Sequence, residues 1–331
     1  MKKYLAIETS CDDTSVAIVD ANGWVYAMDS VTQDVSHEPF GGIVPEIAFR
    51  NHSIYLLPLV DQILKKANLE PKDLSGIVVT ERPGLMGSLI VGIVTAKSLA
   101  QSWNLPYLGV DHLEGHLWAP FLKDESYQPL YEFQGPSIGL AVSGGHTSLY
   151  LIKGLGDYEV LGTTRDDAAG EAFDKFAKML DLGFPGGRQV DEMSVEGDRN
   201  KYDFPRAMIN EEHLEMSFSG LKSSAHRLIT GLGPEKVQLE KAHLCASFQE
   251  AIVDVLISKM SKAFEKYNLK QGLLTGGVSA NRRLRTRLQE LSLQKGLNVV
   301  IPPLRFCTDN AAMIGYIGAL RMEKLGEKSL L

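Results

Sequence analysis

Residues 4–19 read YLAIETSCDDTSVAIV, and residues 137–152 read SIGLAVSGGHTSLYLI. Each is a short apolar run with β-branched content, then a polar or glycine-bearing turn, then a second apolar run. Runs of this length bounded by turn residues predict strands, so each stretch opens as strand, turn, strand. Two such openings about 130 residues apart predict two similar α/β domains around a ligand cleft. Outward from the first opening, Ile54, Leu57, Val60, Ile63 and Leu64 recur at helical spacing across 51–68. A buried strand is predicted at Gly76–Thr80. Pro83-Gly84 breaks it, Ser88–Ala100 reads as helix, and 107–110 as one more short strand. Outward from the second opening, 165–240 carries many acidic residues and lysines and little strand signal, which predicts a mainly helical insertion. Residues 241–267 form a long amphipathic helix. A strand ending at Leu274 then leads through a glycine turn into a helix with Asn281 in its first turns. The polar, proline-bearing stretch 124–136 reads as a linker. The expected division is therefore 1–123 with 309–331 as a first lobe and 124–308 as a second, the terminal helix 309–322 packing back on the first.

A chain of 331 residues exceeds the size at which single cores stop growing, which fits two lobes. With 44% hydrophobic and 23% charged residues, it falls outside disordered and fibrous compositions. The net charge of −7 argues against coating nucleic acid by bulk charge and leaves room for a local basic patch. Cys11, Cys245 and Cys307 do not make a paired framework and fit a reducing compartment. No apolar run reaches signal-peptide or membrane-span length, so the expectation is a cytoplasmic protein with no membrane partner.

Several turns carry possible chemistry. Thr9-Ser10-Cys11-Asp12-Asp13-Thr14 joins two strands and offers hydroxyls, backbone N–H groups and two adjacent carboxylates. Val142-Ser143-Gly144-Gly145-His146-Thr147 can bring backbone close to a ligand or form a plain tight hairpin. Thr275-Gly276-Gly277-Val278-Ser279-Ala280-Asn281 follows a strand and opens a helix, the setting of a nucleotide turn, but lacks the dinucleotide fingerprint. His112-Leu113-Glu114-Gly115-His116 puts two imidazoles on one helix face. A third ligand would come from elsewhere, and Asp309 sits at a strand-to-helix junction. Asp174, deeper in a helix than the acids at its start, could meet a ribose hydroxyl. Arg282, Arg283, Arg285 and Arg287, with Lys222 and Arg188 elsewhere, are candidates for phosphate contacts, at least two of the cluster lying on a solvated face.

Together these strings resemble the tRNA threonylcarbamoyladenosine transferases, once classed as O-sialoglycoprotein endopeptidases. The carriers are IETSCDDTSVAI, GGIVPE, PGLMGSLIVG, DHLEGH, AVSGGHT, DDAAGEAFDK, FPGG, SFSGLK, GGVSAN and FCTDNAAMI, in family order from residue 5 to about 318. The resemblance implies a two-lobed α/β fold like actin, hexokinase and the Hsp70 ATPase domain (ASKHA), built of two ribonuclease H-like domains. It implies transfer of threonylcarbamoyl from threonylcarbamoyl-adenylate to N6 of the adenosine 3′ of the anticodon in tRNA, releasing AMP. It also implies one divalent ion per subunit, iron or zinc, on His112, His116 and Asp309. Ala141, Val142, Ser143, Gly144 and Gly145, with Asp174, Gly187, Asp191 and Asn281, match substrate-binding positions. The implied partners are tRNA, a degenerate paralogue of the same fold and a small ATPase. Asp12 and Asp13 are candidate catalytic residues. Asp13 stands where the family usually has glutamate, Arg82 where glycine is common, and the end at Leu331 lacks the usual tryptophan-containing tail. The competing readings are an ATPase or kinase of the same fold and a metallopeptidase. The last would need HExxH, and Glu114 is third in HLEGH, off the shared histidine face.

Overall fold

The computed structural model describes residues 1–40 and 42–325. Gly41 of the GGIVPE string and residues 326–331, the end of the expected first lobe and its tail, lie outside the described residues. The chain divides into two compact units, Met1–Glu132 with Pro302 onward, and Phe133–Ile301. The boundaries expected at 123/124 and 308/309 therefore fall at 132/133 and 301/302. Hydrogen bonds explain the shift. Val25 N donates to Lys123 O at 2.8 Å, and Arg305 Nε and Nη2 each reach Asp124 at 2.7 Å, so both flanking segments belong to the first unit.

The first unit runs β1 (Tyr4–Glu8), β2 (Thr14–Val19), β3 (Val25–Val31), α1 (Asp34–His37), α2 (Pro45–Lys66), β4 (Gly76–Arg82), α3 (Met86–Trp103), β5 (Tyr107–Asp111) and α4 (His112–Trp118). The second contains β6 (Ser137–Val142), β7 (Thr147–Gly154), β8 (Asp157–Thr163), α5 (Ala169–Met179), α6 (Gly186–Met193), α7 (Ser219–Leu232), α8 (Pro234–Tyr267), β9 (Gln271–Thr275), α9 (Arg282–Lys295) and β10 (Asn298–Val300). The chain then returns to the first unit as α10 (Ala311–Leu325).

The two sheets share one topology. Their orders are β3-β2-β1-β4-β5 and β8-β7-β6-β9-β10. In each, the first three strands pair antiparallel and the last two join in parallel. The insertion expected at 165–240 contains α5, α6, α7 and the start of α8, with non-helical chain between α6 and α7.

In the first unit, alternation along the central strands builds two faces. Leu5, Ile7, Val16 and Ile18 join Leu56, Ile63 and Ala96 in one core. On the opposite face lies α10, at a distance only glycine allows. A Cβ on Gly315 would stand 2.5 Å from Val19 Cγ2, and one on Gly318 would stand 2.2 Å from Val78 Cγ1. Gly115 of α4 makes a third such approach, to Ile314 and Met313. The helix after Asp309 is thus seated on the first sheet and against α4.

Helix α2 corrects one expectation. Ile54 and Leu57 are 61% and 55% exposed, and the buried stripe is Ala48, His52, Leu56, Leu59, Val60, Ile63 and Leu64, the last three as expected. A buried histidine in the stripe displaced the apparent phase. Helix α8 begins earlier than expected, at Pro234 after Gly233 at φ +75°, and ends at left-handed Asn268.

Candidate metal centre and glycine turns

Strand β5 ends at Asp111, whose carboxylate caps α4 by accepting from Leu113 N at 2.9 Å and Glu114 N at 3.3 Å. The cap starts the helix at His112 and puts His116 one turn on, both buried. At the far end of the sequence, Asn310 caps α10 by accepting from Met313 N at 3.0 Å, and Ala311 N donates to Ser15 Oγ at 3.0 Å. These bonds place Asp309 beside the histidines. Asp309 Oδ1 lies 3.0 Å from His116 Nε2 and 3.4 Å from His112 Nε2, and the two Nε2 atoms are 3.2 Å apart.

Three ligand atoms at 3.0–3.4 Å from one another fit one ion. Ligands about 2.0–2.2 Å from a shared metal are separated by about that distance. Two imidazoles and one carboxylate suit zinc or iron, and three protein donors leave coordination positions for substrate. Burial alone would lower the His112 pKa, but the Asp309 and Glu8 carboxylates raise it well above the ordinary value. Burial pushes Asp309 up, and His112 and His116 hold it well below the usual carboxylate range.

Glu114 is fully buried and paired with Arg321 of α10. It is committed to holding α4 against α10, and the metallopeptidase reading lacks its general base.

The loop before β2 is held from several sides. Thr9 Oγ1 donates to Ser88 O at 2.9 Å, and Leu85 N to Ser10 O at 2.8 Å. His52 Nε2 lies 3.0 Å from Cys11 O, and its Nδ1 lies 2.7 Å from Thr14 Oγ1. Burial raises the pKa of Asp12. Burial, then the charges of Asp12, Asp309 and Asp34, push Asp13 up to about 8. The loop and the triad thus share one electrostatic neighbourhood. A carboxyl with a raised folded-state pKa gives stability present below its unfolded pKa near 3.8 and lost as pH rises toward 8. Asp13→Asn removes that loss. In the metal-free protein it should melt a few degrees above wild type at pH 8, with no advantage at pH 4, by calorimetry.

In the second unit, Ser143 N donates to His146 O at 2.7 Å, closing the turn after β6, and Gly170 N donates to Ser143 O at 3.2 Å. Gly144 and Gly145 face open space. Gly276, at φ +86°, presses on Val142 O, where a Cβ would come within 2.4 Å. Ala141–Gly145, the start of α5 and the turn at 276–281 therefore gather at one end of this sheet. Asp174 Oδ1 accepts from Gly186 N at 2.8 Å, which ties it to the turn holding Gly187. Burial raises its pKa, while Gly186 and Gly187 N–H groups oppose the shift. Asp191 pairs with Arg282 at 2.6 Å. Asn281 Oδ1 accepts from Leu284 N at 2.9 Å, and its Nδ2 donates to Gln249 Oε1 at 2.6 Å. The nine expected substrate positions lie in this one connected set, with the Asp174, Asp191 and Asn281 side chains already engaged within it.

The expected basic patch is different in kind. Arg283 grips Glu250 with two bonds at 2.6 and 2.7 Å, and Arg287 bridges Glu250 and Asp254. Arg285 donates to Ser279 O, Lys222 pairs with Asp167 and Arg188 with Glu192. The charge of Arg283 and Arg287 is spent on acids of α8, which spacing along α9 does not reveal, while Arg188 and Glu192 form an exposed pair one turn apart. Arg283→Glu would set a carboxylate against buried Glu250. It should cost about 3 kcal/mol or more of stability. The expected reading is a lowered melting temperature with the salt slope of tRNA binding unchanged.

Glu8 and His52 were not singled out in the sequence. In sequence Glu8 is only the residue that follows the apolar run 4–7, yet it is fully buried beneath His112, with Oε2 3.0 Å from Nδ1.

Two sheets of one ribonuclease H-like order, with a His–His–Asp cluster on the first, define an α/β protein of the actin-like class. Solved structures agree on the fold. HypF from T. kodakarensis superposes with TM-score 0.64 at 14% identity, over 98% of this chain and 48% of that one. Component A of (R)-2-hydroxyglutaryl-CoA dehydratase from Acidaminococcus fermentans gives 0.54 at 13%, over 96% and 99%. The sequence profile of tRNA N6-adenosine threonylcarbamoyltransferase matches residues 25–316. A protein of that name from Bdellovibrio bacteriovorus is 62% identical over 331 residues, covering 100% of this chain and 96% of its own. One from Anaeromyxobacter dehalogenans is 46% identical, covering 98% and 97%. The chain belongs to the tRNA N6-adenosine threonylcarbamoyltransferase family.

Proposed function

We propose that this chain transfers threonylcarbamoyl from threonylcarbamoyl-adenylate to N6 of the adenosine 3′ of the anticodon in tRNA, releasing AMP, and that it needs one divalent ion to do so. Family membership supports the transfer to tRNA. The observation that carries the metal dependence is the 3.0–3.4 Å triangle of His112, His116 and Asp309. Iron or zinc held there would act as a Lewis acid on charge developing at the carbamoyl group.

The chain's own residues supply the rest. The glycine turns offer backbone N–H groups to the AMP phosphate. We assign Ala141–Gly145, Asp174, Gly187, Asp191 and Asn281 to the adenylate, with Asp174, Asp191 and Asn281 mainly as supports given their internal bonds. The N6 amine attacks the carbamoyl carbon. The new C–N bond replaces the C–O bond to phosphate, AMP leaves with the electron pair, and the amine loses a proton. Asp12 is assigned to take that proton. Its raised pKa brings it nearer the working range of a general base, and Asp13 beside it is pushed up to about 8.

No helix among the described residues is long and apolar enough to cross a membrane. A cytoplasmic setting follows from the tRNA substrate. The adenylate must come from a separate synthesising enzyme, and a degenerate paralogue with a small ATPase is the partner set proposed. The test supplies preformed adenylate and unmodified tRNA to the purified, metal-loaded chain. Nucleoside analysis should find N6-threonylcarbamoyladenosine and AMP in equal amounts. AMP without the modified nucleoside would refute the reading.

A further inference from the structure

We propose that Glu8 is a positioning residue for the triad: its buried carboxylate holds the His112 proton on Nδ1 and so aims the Nε2 lone pair at the place of the ion. The inference rests on the metal reading above and concerns a residue 104 positions from its partner.

Glu8 ends β1 and is 0% exposed. Three segments converge on it. Ser10 N donates to Oε1 at 2.5 Å, and Thr80 Oγ1, on β4, donates to Oε2 at 2.5 Å. The third is His112 Nδ1, 3.0 Å from Oε2, with Ser10 Oγ also 3.2 Å from that nitrogen. An ionised carboxylate can only accept hydrogen bonds. The imidazole nitrogen facing it must therefore carry the proton. In a neutral ring that leaves Nε2 bare, and Nε2 is the atom 3.2 Å from His116 Nε2 and 3.4 Å from Asp309 Oδ1. Carboxylates placed in this way behind metal-bound histidines fix the ring and raise ligand basicity. Their loss costs about 10–100-fold in metal affinity.

Glutamine at this site keeps the volume but breaks the pattern. With its oxygen toward Ser10 N, its NH2 group faces Nδ1 and favours the tautomer with Nε2 protonated. With its oxygen toward Nδ1, the NH2 group meets the Ser10 N–H. Either arrangement weakens the ligand.

The test titrates zinc into the metal-free full chain, its Glu8→Gln variant and Asp309→Ala, by competition with a chromophoric chelator. Wild type should bind one zinc, and Glu8→Gln should bind about 10–100-fold more weakly with an unchanged circular dichroism spectrum. Equal affinity in wild type and Glu8→Gln would overturn the proposal and leave the metal reading standing. A wild type that binds no zinc would overturn both. A second measurement does not depend on the variant folding. In zinc-loaded wild type with 15N-labelled histidine, NMR should show His112 with a proton on Nδ1 and zinc on Nε2. Nδ1 without a proton, or bound to zinc, would overturn the role assigned to Glu8. Packing alone would not move this signature.

Discussion

Asp309→Ala should lose the metal and reduce transfer from preformed adenylate by at least about a hundredfold, while the fold persists. The carboxylate oxygen is 3.0 Å from one ligand nitrogen and 3.4 Å from the other, so its removal opens one corner of the triangle. Among the described residues its hydrogen bonds run to the two histidines, so no cap or strand pairing is lost with it. Helix α10 is capped by Asn310 and seated by Gly315 and Gly318 against the first sheet. Supplying the adenylate keeps its synthesis out of the assay. His112→Ala and His116→Ala should behave alike. If Asp309→Ala kept full metal while His112→Ala lost it, the third ligand would lie elsewhere.

Arg321→Ala should produce a large stability loss. It strips the guanidinium from Glu114, which is fully buried in α4. Removing one member of such a pair costs about 3–5 kcal/mol. In a protein of this size that corresponds to a fall in melting temperature of about 4–7 °C. The double substitution Glu114→Gln with Arg321→Met should recover much of it, because both charges go together. The pair also joins the helix of the two histidines to the helix that follows Asp309. Zinc affinity of Arg321→Ala should therefore drop even below its melting temperature. An unchanged melting curve would show that the pair is not a tie between these helices.

The features legible in the sequence are those whose signal is local. Strands β1, β2, β6 and β7 are buried at almost every position and stood out as apolar runs around turns. The spacing of His112 and His116 is a property of one helical turn. Strands β3 and β8 carry no such signal, because both are partly exposed edge strands with mixed patterning. The arginines of α9 look like a surface patch in sequence because the acids that pair with Arg283 and Arg287 lie on α8 and the one that pairs with Arg282 lies on α6. Asp309 is marked in the sequence by its strand-to-helix junction and by its match to a family string, and its approach to the histidines depends on glycines of α10 that carry no chemical signal of their own. Glu8 was missed for the converse reason. A carboxylate ending an apolar strand reads as the start of a polar turn, and its buried donors come from β4 and α4.

The most direct measurement is a reconstitution. The metal-free chain is titrated with zinc or iron(II), and transfer of threonylcarbamoyl from preformed adenylate to tRNA is followed at each occupancy. The account predicts a rate that rises in proportion to occupancy and saturates at one ion per chain, with no rise in Asp309→Ala over the same range. A metal-free chain that transfers at the full rate would contradict it.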